Sequence, residues 1–261
     1  MLSSCQKTNL PKVNFILILI ITFLSMGVLS CNQTVKQEIV CASTVKTNTF
    51  YKVFFNEILS PIEQQMIHLG LVDVCAFDTT IHANIKYSTL DNFLKNDIYG
   101  NYNKAYLQPE VAEKLIKAQI FLKERYPGYR LLIYDAARPT FIQKMIWDSL
   151  KMPVREKGKY ACSPRNGSLH NYGAAVDLSI LDEKGNELDM GCPFDFFGPL
   201  AYPVMENLFL AEGKLSQKQV ENRKLLRQVM YKAGFFNIQT EWWHFNSCTR
   251  AVAIAKYKKI D

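Results

Sequence analysis

The chain has 261 residues, 48% of them hydrophobic and 21% charged, the ordinary balance of a globular protein and enough for one well-buried domain. The net charge of +7 falls by two, to +5, when Lys7 and Lys12 of an N-terminal leader are set aside. The remaining basic residues are scattered, apart from a short cluster at 256–259, and this argues for a solvated basic surface and against a nucleic-acid partner.

Residues 1–30 read as an export signal, with Lys7 and Lys12 as the positive region ahead of an apolar run over 15–29. That run is short for a membrane span and right for the core of a signal peptide. It ends in Val28-Leu29-Ser30-Cys31, which resembles a bacterial lipobox with Cys31 as the lipidated residue. The expected organisation is a signal peptide over 1–30, a polar tether over 31–50 and one domain over 51–261, held at a bacterial membrane in the cell envelope or periplasm. Plain secretion and an uncleaved N-terminal anchor are the other readings of the same leader. Beyond Cys31 stand Cys41, Cys75, Cys162, Cys192 and Cys248, with no metal-type spacing. An oxidising envelope would permit a Cys162–Cys192 bridge, and buried free thiols are the alternative.

Ser60, Pro61 and Glu63 predict a capped helix start, with Gly70 at its end. His68 on that helix and His82 beyond it have no ligand partners at useful spacing and are read as structural. Alternation over 84–88 predicts a strand, and 91–100 a loop. Val111, Leu115, Ala118 and Leu122 form one stripe of a helix over 109–126, stopped by Pro127-Gly128. A buried strand follows over 130–134, then Asp135-Ala-Ala-Arg-Pro139 and a helix over 140–150. Residues 151–167 read as a loop, 174–181 as a strand, 182–186 as a turn and 187–190 as its partner strand. A long irregular segment covers 191–213. Ser216 and Gln219 cap a helix that buries Val220, Leu226, Val229 and Ala233 and ends at Gly234. A closing strand is expected over 235–246. Helices and strands mix without a βαβ rhythm, so the expected class is α+β.

The chemistry concentrates in Ser168-Leu-His-Asn-Tyr-Gly-Ala-Ala-Val-Asp177 and in Glu241-Trp-Trp-His244. A catalytic zinc takes three protein ligands and leaves a position open. His170, Asp177 and His244 would make such a set if Gly173 turns the chain between the first two and the last strand lies beside the strand of Asp177. Residues seven apart on a straight strand face opposite ways, so that turn is required. Glu241, three residues before His244, would share its cleft only through a bulge or bend near Trp242-Trp243. It could then act as a general base toward water. The two tryptophans would wall the site or pack in the core.

These segments resemble the D-Ala-D-Ala dipeptidases of the VanX type, in the zinc D,D-peptidase group that shares its fold with hedgehog signalling domains. The resemblance runs from about residue 84 to 245 and includes Lys86-Tyr-Ser-Thr-Leu-Asp-Asn-Phe93, Tyr134-Asp-Ala-Ala-Arg-Pro139, Met190-Gly-Cys-Pro-Phe-Asp195 and Asn222-Arg-x-x-Leu-Arg227. It implies an α+β single domain with a central, mainly antiparallel sheet flanked by helices. It implies one Zn2+ per chain on His170, Asp177 and His244, with Glu241 as catalytic base and Arg138 stabilising the oxyanion. Asp195 would take the substrate's ammonium, and Tyr87 and Ser168 would line the cavity. The implied activity is zinc-dependent hydrolysis of D-alanyl-D-alanine to two D-alanines in peptidoglycan turnover. A D,D-carboxypeptidase or endopeptidase on peptidoglycan stems, and a non-catalytic zinc-binding envelope lipoprotein, stay open as alternatives. The chain departs from the family pattern at Ala136-Ala137, where Gly-Tyr is usual, and in the apolar, proline-rich stretch after Asp195.

Overall fold

The computed structural model describes residues 59–261. The expected leader over 1–30, the expected lipidation at Cys31, the expected tether over 31–50 and Cys41 lie outside the described residues. The Ser60 hydroxyl accepts from Glu63 N at 3.2 Å, and Ser60 N donates to Glu63 Oε2 at 2.9 Å, so the expected capping box opens α1 (Pro61–His68). There follow β1 (Val72–Asp73), α2 (Val74–Phe77), β2 (His82–Ala83), β3 (Tyr106–Leu107), α3 (Pro109–Arg125), β4 (Arg130–Asp135), α4 (Thr140–Ser149) and α5 (Val154–Lys157). The second half holds β5 (Ala175–Leu181), α6 (Glu206–Ala211), α7 (Gln217–Lys232), β6 (Phe236–Asn237), β7 (His244–Asn246) and α8 (Arg250–Lys256).

The main sheet runs β2-β4-β5-β7-β6, with β2 parallel to β4 and every other neighbour antiparallel. This is the expected α+β arrangement. β1 and β3 make a separate antiparallel pair. The α3 stripe of Val111, Leu115, Ala118 and Leu122 is fully removed from water and packs on β4 and α7. Each buried leucine of such a stripe contributes roughly 1.5–3 kcal/mol of transfer free energy. β5 is buried from Ala175 through Ile180, on both faces. A charged Asp177 in the middle of that strand must therefore be paired or liganded to persist there.

Three expected strands differ. Residues 84–88 are not a strand: Asn84 N still donates to Ile133 O, but Lys86–Ser88 curl into a 3-10 turn. The Asn92 amide takes the Lys86 carbonyl, Ser88 N takes that of Ile85, and Ile98 N and Tyr99 N take that of Tyr87, which diverts these carbonyls from a ladder. Residues 187–190 make a single bridge, Leu181 to Glu187, because side chains of α7 take the next carbonyls: Asn222 Nδ2 binds Asp189 O and Arg223 Nε binds Met190 O. The closing strand over 235–246 is two short strands, β6 and β7, with the chain folded back between them. The segments read as loops also hold short helices, α5 in 151–167 and α6 in 191–213. His68 and His82 are exposed and away from the site, as read.

Cys75, Cys162, Cys192 and Cys248 are free thiols, so the bridge from Cys162 to Cys192 does not form. Cys192 is instead buried with its sulfur accepting from Arg223 Nη2 at 3.4 Å. Among the described residues no helix is long and apolar enough to cross a membrane.

Candidate active site

His170, Asp177 and His244 converge at the centre of the sheet. Ser168 caps a 3-10 turn over Leu169–Tyr172, its hydroxyl accepting from His170 N at 3.3 Å. Gly173 ends that turn with a left-handed φ of +62°, the reversal that the His170–Asp177 spacing demands. A Cβ there would stand 2.7 Å from Leu71 Cδ2 and 3.3 Å from Gln108 N. Asp177 then lies on β5 directly opposite His244 on β7. One ligand atom from each of the three residues falls within 4.8 Å of the others, and all three residues are buried.

The hydrogen bonds decide which atoms face inward. His170 Nδ1 lies 2.6 Å from Ala136 O, so it carries the proton and leaves the Nε2 lone pair free. His244 Nε2 lies 2.9 Å from Asn246 Oδ1, which leaves the Nδ1 lone pair free. These two acceptor nitrogens are 3.2 Å apart, and Asp177 Oδ1 is 2.9 Å from His244 Nδ1 and 3.4 Å from His170 Nε2. Three acceptors facing each other repel unless a cation lies among them. The outer hydrogen bonds fix both rings in the ligand orientation, as outer partners do in metal sites. Two imidazoles and a carboxylate are a donor set that suits zinc. Burial pushes the Asp177 carboxyl up, but the two histidines outweigh it and hold it well below the usual carboxylate range.

Arg138 is buried beside this cluster. Its Nε and Nη2 bind Asp135 Oδ2 at 2.8 and 2.5 Å, its Nη1 binds Gln143 Oε1 at 2.8 Å, and Nη2 is 3.6 Å from Asp177 Oδ2. The salt bridge to Asp135 therefore coexists with a place at the cavity wall. Ala136 and Ala137, in place of the usual Gly-Tyr, leave this arrangement intact and are buried; the Ala136 carbonyl is the partner of His170. Desolvation opposes the guanidinium charge, but Asp135 and the surrounding phenols hold its pKa well above the ordinary value.

Glu241 faces the cluster without any bulge inside a strand, because β7 begins only at His244. Its Oε2 is 3.8 Å from His244 Nδ1. Burial first, and then the nearby Asp177 and Asp195 charges, push its carboxyl up to about 7, against the pull of His244 and Arg138. Asp195 adopts a left-handed φ of +60°, which costs a non-glycine residue about 1 kcal/mol. That backbone turns the carboxylate inward, where Oδ1 accepts from Tyr87 OH at 3.2 Å and Oδ2 is buried with no protein partner. Burial, followed by the Asp177 charge, pushes the Asp195 carboxyl up to about 8.

Tyr87, Arg138, Ser168, His170, Asp177, Asp195, Glu241 and His244, all the site residues expected of the domain, line one cavity of about 140 Å³. The profile of the D-ala-D-ala dipeptidase family, the M15 peptidases, matches residues 67–259. The chain belongs to this family of peptidases. D-alanyl-D-alanine dipeptidase of Escherichia coli (strain K12) is 32% identical over 175 residues, covering 67% of this chain and 83% of that one. The enzyme of the same name from Enterococcus faecium is 28% identical over 186 residues, 64% of this chain and 88% of that one. The solved structure of the LdcB LD-carboxypeptidase aligns with a TM-score of 0.35 and 23% identity, over 57% of this chain and 63% of that one.

The dipeptidase site also uses residues that the motifs did not single out. Asn246 orients His244, and a strand period of two puts both on one face, so that signal was present. Asn171 Nδ2 binds Arg138 O at 2.8 Å, and Arg138 N binds His170 O at 2.9 Å, which ties the two motifs together. Gln143 holds the guanidinium from α4 and passes its amide to Cys162 O at 2.9 Å. Trp243 lines the cavity, whereas Trp242 is core, with its Nε1 donating to Cys192 O at 3.2 Å.

Proposed function

We propose that this family member is a zinc dipeptidase that hydrolyses D-alanyl-D-alanine to two D-alanines. The observation that carries the reading is the buried, unpartnered Asp195 oxygen lining the same small cavity as the His170–Asp177–His244 cluster. A buried carboxylate oxygen without a donor is costly unless a ligand supplies one. A dipeptide's ammonium is such a donor, and its scissile carbonyl would then lie toward the cluster. A cavity of about 140 Å³ falls below the ~300–1,000 Å³ of clefts for drug-sized ligands, which fits two alanines.

Asp195 and Tyr87 hold the amino end. Arg138, fixed by Asp135 and Gln143, presents its guanidinium where charge develops on the scissile carbonyl oxygen, in a site shielded from water. When bound, zinc supplies Lewis acidity to that carbonyl and lowers the pKa of water. Glu241, with a proton affinity near neutrality, accepts the proton of the attacking water and returns it to the departing amine. Ala136 O and the Asn246 side chain hold the rings of His170 and His244 with Nε2 and Nδ1 respectively turned toward the cluster.

The leader over 1–30 and Cys31 support export and lipid anchoring, which would put the enzyme in the cell envelope among dipeptides from wall turnover. The test is an assay of the zinc-loaded protein on D-Ala-D-Ala and on a stem pentapeptide ending in D-Ala-D-Ala. Release of D-alanine from the free dipeptide is expected. Cleavage of the pentapeptide with equal or greater kcat/KM would overturn the dipeptidase assignment.

A further inference from the structure

The cavity of the dipeptidase site has a neighbour. A second hollow of about 460 Å³ lies behind its wall and is lined by Lys86, Asp91, Tyr134, Glu187 and Phe196 among others. Only Phe93, Asp195 and Phe197 line both spaces, so these three side chains are the partition between them. Phe197 is its keystone. Its ring meets Phe93 edge-on at 4.9 Å between centroids, and Tyr160 edge-on at 5.0 Å. The three rings come from separate loops, before β3, after α5 and after Asp195. Phe197 remains 40% exposed, so it is held by ring contacts and not by the core.

The geometry points to Phe197, braced by Phe93, as the residue that sets the largest amino-terminal side chain this peptidase admits. This rests on the proposed D-dipeptide reading. Asp195 anchors the ammonium, so whatever substrate group stands beside it belongs to the first residue. The rings flanking Asp195 therefore act on that residue and leave the carboxyl-terminal one untouched. Replacing Phe197 by alanine joins the inner cavity to the outer one and gives a larger first side chain apolar room, without disturbing its free ammonium. Discrimination by hydrophobic pockets is worth ~10–200-fold per methylene, so a lost ring should move selectivity by at least tenfold.

The experiment measures zinc-loaded protein in the slowed Glu241→Gln background, by calorimetric Kd for D-Ala-D-Ala and D-Phe-D-Ala, with and without Phe197→Ala. Kinetic ratios of kcat/KM for the same dipeptides are taken with Glu241 intact. The expected result is a shift of the D-Phe-D-Ala to D-Ala-D-Ala ratio by about tenfold or more toward the larger substrate. Phe93→Ala, on a different loop, should shift it the same way and covers the case in which Phe197→Ala does not fold. D-Ala-D-Ala bound by the parent, with the ratio unmoved in folded variants, overturns the partition and leaves the dipeptidase reading standing. A parent that binds neither dipeptide overturns both.

Discussion

Asp195 offers the sharpest test of the site, because a single substitution separates its charge from its shape. Asp195→Asn keeps the size, and asparagine tolerates the left-handed φ of +60° as well as any non-glycine residue. Tyr87 OH can still donate to the remaining carbonyl oxygen, now at the position of Oδ1. What disappears is the negative partner for a substrate ammonium. Removing one member of a buried, hydrogen-bonded charge pair costs ~2–5 kcal/mol, so kcat/KM for D-Ala-D-Ala should fall by about 30- to 5,000-fold. The pH dependence has a definite sign. Burial and the Asp177 charge push this carboxyl up to about 8 in the metal-free site, and a cation beside Asp177 offsets part of that push; the carboxyl binds the ammonium only once ionised, so kcat/KM should rise with pH through a step below pH 8. That step should vanish in Asp195→Asn. The same shift acts on folding in metal-stripped protein. Between the ordinary aspartate pKa of ~3.9 and about 8, the native carboxyl holds a proton that the unfolded one has released, so its contribution to stability falls as pH rises. Denaturant unfolding in chelator at pH 5 and pH 8 should show the decline in wild type and a shallower one in Asp195→Asn. A variant within threefold of wild-type kcat/KM, with an unchanged pH profile, would refute the ammonium role.

Glu241→Gln should retain metal by elemental analysis while kcat drops by about 10²–10⁴, the range of a lost general base. Asn246→Ala removes the partner of His244 Nε2 at 2.9 Å, and metal affinity measured by competition with a chelator should weaken by about 10–100-fold. Gly173→Ala combines a left-handed φ of +62° with a Cβ 2.7 Å from Leu71 Cδ2; the conformational cost alone is about 1–2 kcal/mol, so the thermal midpoint should fall, and an unchanged midpoint would contradict the turn's role.

The candidate metal set was legible because its geometry follows from periodicity and one turn. His170 and Asp177 could meet only through Gly173, and β7 had to lie beside β5 for His244 to join them. The capping boxes at Ser60 and Ser216 were equally legible, since each is a local exchange of hydrogen bonds three residues apart. The failures share a cause. At 84–88 and 187–190 the alternation of side chains was right for a strand, but the backbone carbonyls were taken by Asn92, Asn222 and Arg223. Those competing donors are in part distant in sequence, and no local pattern announces them. The Phe197 partition is non-local in the same way, as three loops contribute one ring each. Gln143 also escaped notice: on an amphipathic helix a buried glutamine reads as a blemish until Arg138 and Cys162 are seen at its two ends.

The charge balance of the cleft links the metal to the substrate. Asp135, Asp177, Asp195 and Glu241 bring four carboxyl groups around a single guanidinium, Arg138, in a space largely closed to water. Fully ionised, they leave three negative charges, a state that burial opposes strongly. A divalent cation at the His170–Asp177–His244 cluster would offset two of these charges and an ammonium at Asp195 the third, while the dipeptide's own carboxylate adds one negative charge at its other end. Protons are the other available neutralisers, and the two carboxyls with raised affinity for them, at about 7 and 8, are Glu241 and Asp195. These are the base and the ammonium anchor of the proposed reaction. The same burial that makes the empty site hold protons therefore makes it select a ligand that is small, presents an ammonium to Asp195 and can lie against a metal. A zwitterionic dipeptide meets all three conditions, whereas an N-acylated stem peptide lacks the charge at the position where Asp195 requires it.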